Sequence, residues 1–324
     1  MSNHPLSNGS ANINVFSKTL LDLAQKDRNV LVVTSDSRGS AKLNSFCEKL
    51  PLQVMEVGIA EQNLVGVSAG LALSGKKVFA VSPACFLTAR ALEQIKNDIA
   101  YSNNPVKIIG ISAGVSYGSL GSTHHSIHDF AVLQSINNVD IVAPADNFET
   151  DQAIRAAENH PRPIYIRIGK KPMPTLHSPD TRFEIGKAIQ ISPEKADYDI
   201  AIFATGETVA PAFEASQELA REGIDCCLLS IHSIRPFDEE IVEKTARNSK
   251  AVITVEEHSI YGGLGSRVAS LLMQSEIFRP LRIVGIPDEP TVTGSQNEIF
   301  NHYGISSHAL VKTALQMLRK KSNL

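Results

Sequence analysis

Two stretches of the chain carry side chains that could do chemistry. In residues 56–73, Glu-Val-Gly-Ile-Ala-Glu-Gln-Asn-Leu-Val-Gly-Val-Ser-Ala-Gly-Leu-Ala-Leu, the carboxylate of Glu61 stands at the start of a helical pattern. Gly66, Ala69, Gly70 and Ala72 on that helix would let another backbone come close. Glu61 is then either a first-turn acid favoured by the helix dipole, or a carboxylate carried on a tightly packed helix at a subunit interface. In residues 114–129, Gly-Val-Ser-Tyr-Gly-Ser-Leu-Gly-Ser-Thr-His-His-Ser-Ile-His-Asp, three histidines and an aspartate follow a glycine-rich loop. Metal ligation is disfavoured there, because adjacent His124 and His125 point apart and no carboxylate shows ligand spacing. Glycines this dense favour close approach to a ligand over an ordinary polar loop. The loop follows an apolar run, and the carboxyl end of a parallel strand is where open α/β sheets bind ligands.

The elements that must position these residues are legible as an alternation. Short β-branched runs at 29–34, 77–81, 106–111, 139–142 and 164–168 alternate with helical patterns near 15–26, 60–74, 88–102 and 147–159. Apolar runs buried on both faces and separated by helices predict a mostly parallel sheet covered on each side. Between 170 and 197 the chain turns proline-rich and weakly periodic, which reads as a crossing linker. The alternation then resumes, with strands near 199–205, 225–231, 251–255 and 281–285 and helices near 209–222, 238–248, 266–274 and 307–320. The prediction is an α/β protein of two domains, each a mostly parallel sheet flanked by helices. Its expected divisions are a disordered N-terminus (1–10), a first domain (11–172), a linker (173–195) and a second domain (196–324).

Composition narrows the classes. The 324 residues are 43% hydrophobic and 20% charged, a globular profile able to bury a core. Lys+Arg 31 against Asp+Glu 34 leaves −3, so no polybasic field exists to hold nucleic acid or acidic lipid. Residues 1–14 lack a basic segment followed by an apolar one, so no secretory leader is expected, and no apolar run is long enough to predict a spanning helix. The cysteines Cys47, Cys85, Cys226 and Cys227 form no Cys-x-x-Cys pair, which predicts reduced thiols in a cytoplasmic protein.

Residues 58–63 (Gly-Ile-Ala-Glu-Gln-Asn), the Gly-x-x-Gly-x-Thr-His core of residues 118–124, and residues 143–146 (Ala-Pro-Ala-Asp) together resemble the pyrimidine-binding half of transketolases. Residues 204–207 (Ala-Thr-Gly-Glu), 256–258 (Glu-Glu-His) and 262–265 (Gly-Gly-Leu-Gly) resemble the C-terminal domain of the same enzymes. The resemblance covers nearly the whole chain beyond the first ten residues. The family's Gly-Asp-Gly motif, which serves the diphosphate and its metal, is absent from the sequence. The chain therefore looks like the smaller subunit of a split, two-gene transketolase.

That resemblance implies thiamine diphosphate, bound across two chains, with Mg2+ held by a larger partner carrying the Gly-Asp-Gly motif. It implies a heterotetramer built on a homodimer of this subunit, inactive without its partner. Glu61 matches the glutamate that bonds the aminopyrimidine ring nitrogen. A carboxyl proton shared there favours the imino tautomer of the neighbouring amine, which becomes basic enough to deprotonate the thiazolium carbon. Such a carboxyl must be dry and able to donate. Asp36 matches a family acid near the pyrimidine, Ile59 an apolar pocket wall, and Phe86 the ring stacked on the pyrimidine, with core packing as its other reading. Counting back from Pro105 instead places Cys85 at an aromatic site. His124 matches the histidine that contacts substrate hydroxyls beside the reacting carbonyl. Ser40 matches a serine, and Lys170 an arginine, that hold the far phosphate of a sugar phosphate; a solvated lysine is the other reading of Lys170.

Two departures bear on the donor. Residues 118–121 read Gly-Ser-Leu-Gly where many transketolases carry Gly-Glu-Asp-Gly, and Leu120 cannot accept a hydrogen bond from a sugar hydroxyl. Ser112 replaces a phosphate-contacting histidine. The expected reaction is transfer of a two-carbon ketol unit from a ketose phosphate to an aldose phosphate, with a branched donor, apulose 4-phosphate, as the concrete candidate. The alternatives are the beta subunit of a 2-oxo-acid dehydrogenase or a deoxyxylulose-phosphate-synthase-like enzyme, and a non-catalytic regulatory subunit. For residues 256–258, interface packing or a solvated turn is expected ahead of catalysis.

Overall fold

The computed structural model describes residues 8–178 and 180–320. A seven-stranded sheet runs in the order Ser233–Arg235, Asp140–Val142, Ile164–Ile168, Lys107–Ile111, Lys77–Pro83, Val30–Thr34, Val54–Glu56. All neighbours pair in parallel except the edge strand Ser233–Arg235. The central strands are mostly apolar and fully buried, Lys107–Ile111 and Ile164–Ile168 at every position, as parallel strands under two helical layers are. A second sheet runs Leu281–Ile286, Ser249–Ser259, Tyr198–Ala204, Cys226–Ser230, Ile189–Gln190, with only the last strand antiparallel.

The two halves are knitted rather than tethered. Ser233–Arg235 leaves the second sheet's region to pair with Asp140–Val142, and Arg235 donates to the carbonyls of Ile136 and Val139 at 2.6 and 3.2 Å. One apolar cluster runs through both halves, joining Leu64, Leu87 and Phe130 to Phe203, Leu229 and Leu264. The stretch read as a linker is built in: Pro172–Pro174 pairs with Asn8–Ala11, Ile189–Gln190 edges the second sheet, and His177 is buried. Pro179 lies outside the described residues. Of the expected disordered segment 1–10, residues 1–7 lie outside the described residues, while 8–10 belong to the strand Asn8–Ala11.

Several elements differ from the sequence reading. The helix expected near 88–102 is three pieces, Ala84–Arg90, Leu92–Gln94 and a π-helical turn, Ile95–Tyr101. The break brings Arg90 to the end of its own short helix. Gln296–His302 is a further helix, closed by a capping box in which Ser295 and Glu298 each accept from the other's backbone N–H. Among the described residues no helix is long and apolar enough to cross a membrane.

Candidate functional site

Five adjacent parallel strands deliver the candidate residues to one edge of the first sheet. Val30–Thr34 is followed by Asp36 and Ser40, Val54–Glu56 by Ile59 and Glu61, and Lys77–Pro83 by Cys85, Phe86 and Arg90. Lys107–Ile111 leads into the loop of Tyr117 and His124, and Ile164–Ile168 into Lys170. The chain passes from Val30–Thr34 to its neighbour Val54–Glu56 on one side and then crosses back to Lys77–Pro83 on the other, so the strand order reverses at Val30–Thr34. Carboxyl ends of parallel strands at such a reversal are where open α/β sheets bind ligands. A 2.7 Å hydrogen bond from Ser35 Oγ to Ser82 Oγ ties the two strand ends together.

Glu61 opens the helix Glu61–Leu73 and is 1% exposed. Its Oε2 receives Arg90 Nη1 at 2.5 Å, and Oε1 makes no hydrogen bond among the described residues. The Arg90 guanidinium lies 5.0 Å from the centroid of the Phe86 ring, covering one face of it. Phe86 in turn meets His124 edge to face, ring centroids 5.2 Å apart. His124 meets Tyr117 in the same way at 5.2 Å, and Lys170 Nζ sits 4.6 Å from the centre of the Tyr117 ring. Glu61, Arg90, Phe86, His124, Tyr117 and Lys170 thus form one unbroken line of contacts along the strand ends. His124 Nδ1 is fixed by Thr123 Oγ1 at 2.9 Å.

An open cleft of about 580 Å3 borders this line, walled by Cys85, Phe86, Arg90, Thr123, His125 and His128 among others. Cys85 is buried, and burial pushes its thiol up to about 11, so it is an inert neutral wall. Burial lowers His125, whose Nε2 lies 3.0 Å from the Gly118 carbonyl; the ring is neutral and donates from Nε2. Lys170 is lowered from the usual lysine value, first by burial and then by the charge of Lys42.

The remaining candidates stand apart. Asp36, exposed and left-handed (φ 51°), uses its backbone N–H on Glu56 Oε1 at 2.7 Å. Ser40 donates its hydroxyl to the Ser37 carbonyl at 3.1 Å and so closes a turn. Ile59, expected as a pocket wall, is 75% exposed. None of these three makes a hydrogen bond, ion pair or ring contact with the line from Glu61 to Lys170. Ser112, expected near the phosphate, is fully buried in a left-handed turn. Gly66 and Gly70, expected under a packed backbone, face open space within the chain.

The residues the sequence reading missed are Arg90, Tyr117 and Glu56. Glu56 accepts from the backbone N–H groups of Asp36 and Gly58, at 2.7 and 3.0 Å, and pairs with Arg38, so it sets both strand-end loops. Spacing to a charged residue one helix away carried no signal for Arg90. Residues 256–258 are neither a solvated turn nor an exposed interface. Glu256, Glu257 and His258 are buried between the two halves, where Arg167 contacts both Asp129 and Glu257.

Comparison with known proteins matches the same two halves. The family model for the transketolase pyrimidine-binding domain covers residues 9–175, and that for the transketolase C-terminal domain covers 189–310. The chain is 46% identical to one of the subunits of the apulose-4-phosphate transketolase of Phocaeicola vulgatus, over 94% of this chain and 96% of that protein. It is 33% identical to the 1-deoxy-D-xylulose-5-phosphate synthase of Heliobacterium modesticaldum, but spans only 46% of that protein. A solved structure described as a split-gene transketolase, inactive beta4 tetramer, superposes with a TM-score of 0.87 at 34% identity, over 96% of this chain and 99% of that one.

Proposed function

We propose the catalytic assignment that follows for this chain, which belongs to the transketolase family and is the transketolase-type subunit of a split enzyme. With a diphosphate-binding partner it transfers a two-carbon ketol unit from a ketose phosphate to an aldose phosphate. The branched sugar named for the Phocaeicola vulgatus relative, apulose 4-phosphate, is the first donor to test. The observation that carries this reading is the line of contacts from Glu61 to Lys170, a buried acid at one end and a cation at the other.

The residues present fit thiamine diphosphate at its pyrimidine end. A dry carboxyl with an oxygen to spare, a half-buried ring and a neutral wall border a cleft at the strand ends. Bound there, the cofactor would supply a carbon nucleophile for the donor carbonyl. Glu61 would hold the ring nitrogen through a shared proton, with Arg90 fixing the carboxyl from the other side. Asp36 would face the pyrimidine from the rim, and Ile59, exposed in this chain, would close the pocket against a second chain. His124 would bond the donor's hydroxyls and the developing alkoxide. Lys170 and Ser40 would hold the phosphate, Lys170 as a point charge. Among the described residues no three His, Cys, Asp or Glu side chains group as a metal site, and Mg2+ and the diphosphate are assigned to the partner. The exposed Leu52, Ile59 and Leu73, with the open backbone at Gly66 and Gly70, are the surface through which chains would pair.

The test is reconstitution. The chain alone should turn over neither apulose 4-phosphate nor xylulose 5-phosphate, and adding a Gly-Asp-Gly-bearing partner with thiamine diphosphate and Mg2+ should produce ketol transfer. Decarboxylation of pyruvate by the pair in place of ketol transfer would move the chain to the deoxyxylulose-phosphate-synthase class. Full ketol transfer with Glu61→Gln would remove Glu61 from the site.

A further inference from the structure

The loop that carries Tyr117 and His124 is not held by its own domain alone. Val115 donates its backbone N–H to Glu257 Oε1 at 2.9 Å, across the boundary between the halves. Gly114 is left-handed (φ 60°), and a Cβ there would lie 2.1 Å from the Glu257 carboxyl carbon, so only glycine lets that carboxyl in. At the loop's other end Ser126 N–H returns to the Gly114 carbonyl at 2.7 Å. Arg167 donates to the carbonyls of Ser126 and Glu257 at 3.2 and 2.6 Å, and its Nη1 lies 3.5 Å from Glu257 Oε2.

Behind Glu257 stands a second acid. Gln296 Nε2 donates to Glu257 Oε1 at 2.7 Å and to Glu207 Oε2 at 3.1 Å, spending both of its hydrogens on the two carboxyls. Glu207 is buried and presses on the backbone before Lys170: a Cβ on Gly169 would lie 2.1 Å from its Oε1. That oxygen has no hydrogen-bond partner of its own among the described residues. One bridging amide, two buried carboxyls and one close guanidinium leave room for one negative charge rather than two.

We propose that Glu257 is a positioning residue for His124, clamping the loop of residues 114–124 from the second domain, with Glu207 joined to it through the Gln296 amide. The clamp also sets Gly169 and hence Lys170, so it fixes both ends of the Tyr117 contact. Its effect on catalysis rests on the function proposed above; the clamp itself does not. The groups facing the pair are the cations Arg167 and Lys171, with Asp129, Tyr165, Glu256 and His258 packed around Arg167. Burial, reinforced by the charge of Glu257, pushes Glu207 up to about 8, and burial raises Glu257 as well. The pair therefore holds one proton between its two carboxyls at neutral pH. As the pH rises that proton is lost, and two carboxylates oppose each other across Gln296.

The test is hydrogen–deuterium exchange of the full chain, read in peptides from 114–124 and, as an internal control, in the strand Tyr198–Ala204. Glu257→Ala should speed exchange in 114–124 about tenfold or more, as loss of a buried acceptor for Val115 predicts, and leave Tyr198–Ala204 protected. Glu257→Gln, which can still accept from Val115, should restore most of the protection. In wild type, protection of 114–124, corrected for intrinsic exchange, should fall as pH rises through about 8. In Glu207→Gln that fall should vanish. Unchanged exchange in Glu257→Ala, or an alkaline loss that persists in Glu207→Gln, overturns the proposal. In the reconstituted enzyme Glu257→Ala should lower kcat more than it raises KM. A wild-type chain that shows the clamp by exchange but performs no ketol transfer with its partner would refute the function and leave the clamp standing.

Discussion

Arg90 and Glu61 meet across two helices, with Nη1 2.5 Å from Oε2, although the guanidinium is 46% exposed and the carboxylate side chain only 2%. The pair anchors the dry end of the site to its open end. It also separates two roles for Glu61. A helix-start acid paired to Arg90 would matter for stability alone, whereas a carboxyl bound to a ring nitrogen matters for turnover. Glu61→Gln keeps an acceptor for Arg90 and should cost about 1 kcal/mol of stability. It should lower kcat of the reconstituted enzyme about 10²- to 10⁴-fold, the usual weight of a positioned acid–base group. Thermal melts and steady-state kinetics on the same preparations check both halves.

Lys170 lies over the Tyr117 ring, and its positive charge is paired with no carboxylate among the described residues. If it holds phosphate, Lys170→Ala should raise KM for a phosphorylated donor about tenfold or more while leaving kcat within a few-fold, the signature of a lost binding contact. An unphosphorylated ketose should show no such change. Lys170→Arg should recover most of the loss. Equal effects on both donors would return Lys170 to the role of a surface lysine packed on an aromatic ring.

The buried histidines at the junction of the two halves set an acid limit to stability. Burial, aided by the charge of His177, lowers His232 from 6.5 to about 3, and burial lowers His258 from 6.5 to about 4. Both are neutral in the fold. Their contribution is full above the unfolded value of about 6.5 and declines as pH falls from there toward the folded values, because the unfolded chain binds the protons first. His232 stacks on Phe183 with ring centroids 4.3 Å apart, so His232→Phe keeps the contact and removes the titration. Urea unfolding at pH 4 to 6 should then show a slope of stability against pH smaller by up to about 1.4 kcal/mol per unit. An unchanged slope would mean that His232 does not titrate on unfolding.

The parts of the fold that could be read in advance are those whose residues carry one message. The runs at 29–34 and 164–168 are mostly apolar and became strands paired on both sides. Inside the second run Arg167 is a charge that burial forbids without partners, and it found Asp129 and Glu257. Its sequence position signalled pairing but not with whom, because both partners are distant in the chain. The helix near 88–102 was misplaced because its periodicity is continuous, while a π-helical turn at Ile95–Tyr101 and the break after Arg90 are set by tertiary packing. The helix that carries Gln296 was not expected, although the Ser295–Glu298 capping pattern that starts it stands in the sequence. Glu61, Phe86, His124 and Lys170 were legible as candidates by motif. Their contiguity was not, because Arg90 and Tyr117 supply the links.

Leu120 carries the last prediction, which concerns the donor. It is 53% exposed in the helical turn Gly118–Thr123, four residues before His124, and brings an apolar surface to a loop whose neighbours are polar. An apolar side chain there gives no hydrogen bond to a hydroxyl two carbons from the reacting carbonyl, so a linear ketose phosphate gains nothing from it. A donor with a different substitution pattern loses nothing. Leu120→Asp restores an acceptor at an exposed position where the charge can stay hydrated. The ratio of kcat/KM for xylulose 5-phosphate to that for apulose 4-phosphate should rise about tenfold or more, the weight of one polar contact to a substrate hydroxyl. Thermal stability should hold within about 0.5 kcal/mol, since the residue lies at the surface. A ratio that stays fixed while both rates fall together would show that Leu120 shapes the loop without reading the sugar.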